Sequence, residues 1–284
     1  MAPLQGLQLH GRIYVVSGAT TSAIISNNQI YDPATNKWST GESIPTARYV
    51  AASTVVDNIL YVIGGCNAAC ATGGGAMTVV EAYDPATNSW TTKSPIPIAN
   101  GIDSVYAIAD KNIIYVVGGY VPDSGRVATV YAYNPTTDSW VQETSMKVGR
   151  SNPMLGVLGG IMAVGGLGNS GNVTDDEVYN PTKNTWKASA SLPAPLADSC
   201  FGVISGQFYI AGGAGGSNSD TPETNVFAYS PKTKSWNTAL ASMPQATLAP
   251  ASGVVGGKLY CIGGSDNGNL FPSTVYDNVQ IYQP

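Results

Sequence analysis

Apolar runs about five to eight residues long recur down the chain, broken by pairs of Gly, Asn, Asp and Pro, which is strand-and-turn patterning. The stretch from Arg48 to Trp90 shows one full unit. Tyr49 to Val56 (YVAASTVV) is a β-rich run, Asp57-Asn58 a turn pair, and Ile59 to Gly65 (ILYVIGG) a second run, so the two form a hairpin. A longer loop, Cys66 to Met77, leads to a third run, TVVEAYDP, which Pro85 closes because proline cannot donate to a ladder. PATNSW then turns the chain, with Asn88 suited to the turn, and Trp90 opens a fourth strand.

This unit repeats. Tyr-x-Pro with a Trp seven residues after the Tyr begins at Tyr31, Tyr83, Tyr133, Tyr179 and Tyr229, and a last Tyr-x-Pro, without its Trp, begins at Tyr282. Glycine pairs end the second strands at Gly64-Gly65, Gly118-Gly119, Gly165-Gly166, Gly212-Gly213 and Gly263-Gly264, with Ser17-Gly18 in the first unit. Four antiparallel strands per period of about fifty residues describe a β-propeller blade, which buries its faces only against its neighbours. The five Trp and their Tyr partners are therefore expected between blades, as rings whose polar ends still find partners.

Gly-Gly, then Tyr-x-Pro, then Trp, at this period, resembles the kelch repeat over nearly the whole chain. The resemblance implies one all-β domain, residues 1–284, folded as a six-bladed propeller of four-stranded antiparallel blades. It also implies that the first strand of each blade lines the central channel and the fourth lies on the rim. Aligning the glycine pairs makes Pro3 to Leu9 a first strand and leaves the sixth blade with three strands, its outer edge open at Tyr282.

Composition narrows the function. The 284 residues carry 18 acidic and 13 basic side chains with no basic cluster, which argues against nucleic acid as a partner. No apolar stretch is long enough for membrane insertion, and MAPLQGLQLHG lacks the layout of a signal peptide. Low charge and abundant Ser, Thr and Asn suit an extracytoplasmic setting. Cys200 and Cys261 lie in apolar strand patterns and read as buried free thiols. Cys66 and Cys70 share a loop, either paired or free.

Catalytic chemistry has little to draw on. The only histidine, His10, falls in a hairpin turn, so no histidine-based triad can be built, and the His-dependent metal sites of kelch enzymes are not matched. No catalytic residue, metal or cofactor is expected. Asp175-Asp176-Glu177 reads as a solvated junction rather than a Ca²⁺ site, Gly73-Gly74-Gly75 lacks the setting of a phosphate loop, and Asn172-Val173-Thr174 is a formal glycosylation sequon.

Binding is the better expectation. Loops of unequal length join second and third strands, and the starts of the first strands share their face. The candidate residues there are Arg48, Tyr49, Asn67, Asp103, Tyr120, Arg150, Asn152 and Asp198. Arg48 stands sixteen residues before its glycine pair, a position resembling the kelch Arg that reads a partner's carboxylate; Arg150 counts one residue out of that register. The expected activity is a non-catalytic interaction module docking a peptide or protein segment. The alternatives are a glycan-binding or metal-free sugar-isomerising propeller, in which Asp103 or Asp198 with Arg48 would serve as acid and base, and a rigid spacer.

Overall fold

The computed structural model describes residues 7–67, 74–216, 221–267 and 272–284, and all their regular structure is strand. Blade 1 comprises β1 (Leu7–Leu9), β2 (Arg12–Val16), β3 (Asn28–Asp32) and β4 (Lys37–Gly41). Blade 2 comprises β5 (Ala52–Val56), β6 (Ile59–Ile63), β7 (Val80–Asp84) and β8 (Ser89–Lys93). Blade 3 is built of β9 (Tyr106–Asp110), β10 (Ile113–Val117), β13 (Val130–Asn134) and β14 (Ser139–Glu143), with a small hairpin, β11 (Tyr120–Val121) and β12 (Gly125–Arg126), on its upper loop. Blade 4 repeats this with β15 (Met154–Val157), β16 (Ile161–Val164), β19 (Asp176–Asn180) and β20 (Thr185–Ala188), and the hairpin β17 (Leu167–Gly168) and β18 (Gly171–Asn172). Blade 5 holds β22 (Cys200–Ile204), β23 (Gln207–Gly215), β24 (Thr221–Ser230) and β25 (Ser235–Asn237), with β21 (Leu196–Ala197) on the far end of β23. Blade 6 has β26 (Ala251–Val255), β27 (Lys258–Ile262) and β28 (Val279–Tyr282), three strands among the described residues, as the repeat count expects.

The first strands close the ring: β1 touches β5, β5 touches β9, then β15, β22 and β26 follow, and β26 returns to β1. The chain is thus a six-bladed propeller around a channel. Sharp turns join the first two strands of a blade, and both central residues take positive φ at His10-Gly11, Asp57-Asn58, Lys111-Asn112, Ser205-Gly206 and Gly256-Gly257, the twist that two-residue hairpins require. In blade 3 the pair is Lys111-Asn112, one residue beyond the Asp110-Lys111 that patterning suggests. His10 is exposed there.

The repeat motif proves to be a clamp between blades. In blades 1 to 5 the Tyr of Tyr-x-Pro stacks on the Trp of its own blade, with ring centroids 4.8–5.4 Å apart. In blades 1, 2 and 4 the Tyr hydroxyl donates to Asn36, Asn88 and Asn184, and in blade 3 to Asp138, all residues at positive φ that turn the chain. The same side chains of blades 2 to 4 accept a backbone N–H from the preceding blade: Glu42 to Asn88, Ser94 to Asp138, Thr144 to Asn184. The Trp indoles return the bond, Trp90 to Glu42 O, Trp140 to Ser94 O, Trp186 to Thr144 O and Trp236 to Ala190 O, at 2.8–3.0 Å. Burial is less complete than the motif suggests. Only Trp186 is buried; Trp90, Trp140 and Trp236 are half-buried, and Trp38 is 44% exposed, because the rim places one indole edge in solvent.

Glycine pairs serve close approach. At Gly65, φ is +91°, a Cβ would lie 2.6 Å from the Ala51 Cβ, and its N–H donates to Ile102 O of the next blade. The same bond recurs as Gly18 to Arg48 O, Gly119 to Arg150 O, Gly166 to Leu196 O and Gly213 to Thr247 O. These bonds set the register between blades.

Cys200 and Cys261 are not free thiols: they form a disulfide, with Cα atoms 5.7 Å apart. The strands carrying them belong to different blades, but β22 packs on β27 across the seam, so two apolar patterns 61 residues apart face each other. Cys66 is also disulfide-bonded; Cys70 and Gly73 lie outside the described residues, as does Pro3 to Gly6 of the expected first strand, which is seen as Leu7–Leu9.

Candidate binding surface

Blades 2 to 6 are each led in by a short segment that crosses from the rim to the channel. It kinks through a positive-φ residue just ahead of the first strand: Val50, Ser104, Asn152, Asp198 and Ala249. The residue before the kink pairs with the loop after the second strand: Tyr49 with Cys66, Asp103 with Tyr120, Ser151 with Leu167, Leu248 with Ser265. Neighbouring kinks also bond, Asn152 N–H to Ser104 O at 2.9 Å and Ala249 N–H to Asp198 O at 2.7 Å. The channel mouth is therefore a ring of bonded, strained backbone that holds its side chains in fixed places.

Four of the expected residues meet on that ring. Asn152 Nδ2 donates to Asp198 Oδ1 at 2.7 Å, joining blades 4 and 5. Ser104, which patterning did not single out as a candidate, donates its hydroxyl to Asp103 Oδ1 at 2.8 Å. Burial pushes the Asp103 carboxyl up to about 6, against that hydrogen bond. The Tyr49 phenol is raised to about 12, first by burial and then by the Asp103 charge across the seam between blades 2 and 3. Asn67 and Tyr120 stand exposed on the loops above. Below, the channel forms a cavity of ≈ 310 Å³ lined by first-strand residues such as Ser53, Ala107, Gly156, Gly202 and Ser252.

Arg48 and Arg150 do not join this site. Both are fully buried, at 0% exposure, inside their blades. Arg48 Nη1 bonds to Glu81 Oε2 and its Nη2 to Val62 O, while Arg150 Nη2 reaches Glu177 Oε1 at 3.2 Å and Ala163 O at 3.3 Å. Their carbonyls accept equivalent glycine bonds, so the two arginines share one register after all; the β15–β16 hairpin, one residue shorter than β5–β6, hid it. The sequence signal was the glutamate two residues before the repeat Tyr, at Glu81 and Glu177. Where that glutamate is replaced, so is the arginine: Ile102 stands over Tyr131 in blade 3 and Leu196 over Phe227 in blade 5.

Two of the three residues of the acidic run are likewise interior, while Asp175 is exposed. Asp176 and Glu177 are buried, and no group of metal-binding side chains is found among the described residues. Asp176 Oδ2 accepts from the Trp236 indole at 3.0 Å, yet burial pushes its carboxyl up to about 8. An acid whose folded pKa exceeds its unfolded value, about 3.9, keeps a proton that the unfolded chain has lost. Stability therefore falls as pH rises from about 4 towards 8. Asp176→Asn should remove much of that slope, measured by denaturant unfolding at pH 5 and 8.5; an unchanged slope would place its origin elsewhere. The sequon Asn172 is buried too, with its Nδ2 donating to Ala214 O, so it offers no accessible amide for a glycan.

The sequence model described as "KLHDC2/KLHL20/DRC7 Kelch-repeats domain" matches residues 6–154, and "Kelch motif" matches residues 247–284. Curated relatives include Kelch-like protein 25 of Xenopus tropicalis, 29% identical over 38% of this chain and 19% of that protein. Kelch-like protein 35 of Mus musculus is 31% identical over 39% and 18%, and Spermatocyte protein spe-26 of Caenorhabditis elegans is 34% identical over 39% and 19%. The aligned region thus spans about a fifth of these relatives' length. Among solved structures, YjhT superposes with a TM-score of 0.79 over 99% of this chain and 94% of its own, at 18% identity, a likeness of fold. With more than half of its residues matched by the first of these family models, and the repeat clamp present in successive blades, the chain belongs to the kelch-repeat family.

Proposed function

We propose that the protein is an interaction module that docks a peptide or protein segment over the channel mouth, at Tyr49, Asp103, Ser104, Tyr120, Asn152 and Asp198. The observation that carries this reading is the burial of both arginines on glutamates, which leaves a mouth whose charged candidates are the carboxylates Asp103 and Asp198. Such a mouth suits a segment that brings Lys, Arg or other hydrogen-bond donors rather than carboxylates. Kelch-like relatives support an interaction role. The glycan and isomerase alternatives have less behind them: Arg48 is not at the mouth to join an acid–base pair, and the lining of the channel cavity holds no carboxylate. The disulfide between blades 5 and 6 supports an oxidising, extracytoplasmic setting.

Selection from a random peptide library displayed on phage tests the reading. Selected peptides should be enriched in Lys and Arg, and Asp103→Asn with Asp198→Asn should weaken them at least about tenfold without lowering the melting temperature. Affinity should also rise as pH is raised through about 6, where Asp103 ionises. Selection of acidic peptides, or equal binding to the double variant, would overturn it.

A further inference from the structure

The seam between blades 4 and 5 is built differently from those before it. At the seams from blade 1 to blade 4 the turn side chain of the following blade, Asn88, Asp138 or Asn184, accepts a backbone N–H, and the indole donates to one carbonyl. In blade 5 the turn residue is Lys234, whose ammonium is a donor only. The Tyr229 hydroxyl pairs instead with Ser189 Oγ of blade 4 at 3.0 Å. The Trp236 indole is shared between Ala190 O and Asp176 Oδ2, each at 3.0 Å.

Asp176 is the residue that sets this seam apart. Three positions before the repeat Tyr stand Val80, Val130, Val226 and Val279, with Asn28 in blade 1. Blade 4 alone puts an ionisable group there. It is 3% exposed, and its Oδ1 has no hydrogen-bond partner among the described residues. Few charges act on it. Arg150 favours its ionisation and Asp175 opposes it, while Glu177 on the same strand is turned to Arg150. Across the seam blade 5 presents the Trp236 indole and the Tyr229 hydroxyl; Lys187 and Lys234 lie exposed on the surface.

We propose that the seam between blades 4 and 5 is a pH-sensitive joint, which loosens as pH rises from acid to neutral, with Asp176 as its sensor. The closed seam keeps the carboxyl protonated at neutral pH, because burial pushes it up to about 8. In an opened seam water reaches the carboxyl, which then ionises near its ordinary value of about 4. Between those values each opening releases a proton, so the open fraction rises by up to about tenfold per pH unit and levels off on either side. Acidification therefore tightens the joint. The hydrogen bonds from Asn152 to Asp198 and from Gly166 to Leu196 cross the same seam, so its opening reaches the channel mouth. The inference is independent of the channel-mouth reading, since no ligand enters it.

Hydrogen exchange followed residue by residue on the full 284-residue protein tests it. Protection, corrected for the intrinsic pH dependence of exchange, is compared at about pH 5.5 and 7.5. Residues 189–192 and 235–237 should lose at least about tenfold of their protection at the higher pH. Residues 94–96 and 139–143, which hold the seam between blades 2 and 3, should lose little. Asp176→Asn, which keeps an acceptor for the indole, and Asp176→Val, the residue of four other blades, should both abolish the difference. No loss at residues 189–192, equal loss at the two seams, or a loss that persists in both variants would overturn the proposal. None of these results bears on the library selection at the mouth.

Discussion

Glu177→Ala is expected to destabilise the protein by about 3–5 kcal/mol, because it strands the Arg150 guanidinium in a blade interior with no water to solvate it. The pair is buried on both sides and is the carboxylate contact Arg150 has. The protein itself shows the apolar alternative: blade 5 holds Leu196 and Phe227 at the equivalent places. Arg150→Leu combined with Glu177→Phe should therefore recover most of the loss, leaving a net change of about 1–2 kcal/mol from imperfect packing. Denaturant unfolding of the two single variants and the double variant measures the coupling. If the single variants cost little, or if the double variant is no better than Glu177→Ala, the arginine is not the buried structural cation described here.

Removing the disulfide should be comparable in size. Cys200→Ala with Cys261→Ala opens a loop of 61 residues in the unfolded chain, which chain-entropy reasoning puts at about 4 kcal/mol. The loss should concentrate between blades 5 and 6, whose strands the bond joins. Reductant also opens the Cys66 disulfide, so unfolding with and without it should show at least the difference seen in the double variant. A melting temperature unaffected by reduction would mean that the seam is held by packing alone.

Much of the scaffold was legible in the sequence because its signals are local and repeated. Tyr-x-Pro, the turn Asn and the Trp lie within eight residues, and each copy reports the same strand–turn–strand geometry. The three strands seen in the last blade among the described residues match the absence of a Trp after Tyr282 in the repeat count. What sequence reading misplaced depends on contacts between residues far apart in the chain. The disulfide joins strands of different blades, and the Arg48–Glu81 and Arg150–Glu177 pairs join residues 33 and 27 positions apart. The arginine register was obscured because the β15–β16 hairpin is one residue shorter than β5–β6. Arginine at a propeller mouth looks like a ligand contact until the glutamate two residues before the Tyr is seen to hold it. The acidic run was half legible: it is the loop-to-strand junction expected, with Asp175 solvated, but Asp176 and Glu177 open a buried strand.

The central claim is that partners are received on the ring of lead-in segments at the channel mouth. Hydrogen exchange of the protein with and without a library-selected peptide tests it most directly. The account predicts added protection at residues 49–50, 103–104, 120, 152 and 198. Protection confined to the hairpins on the opposite face, at residues 10–11, 57–58 and 111–112, would contradict it.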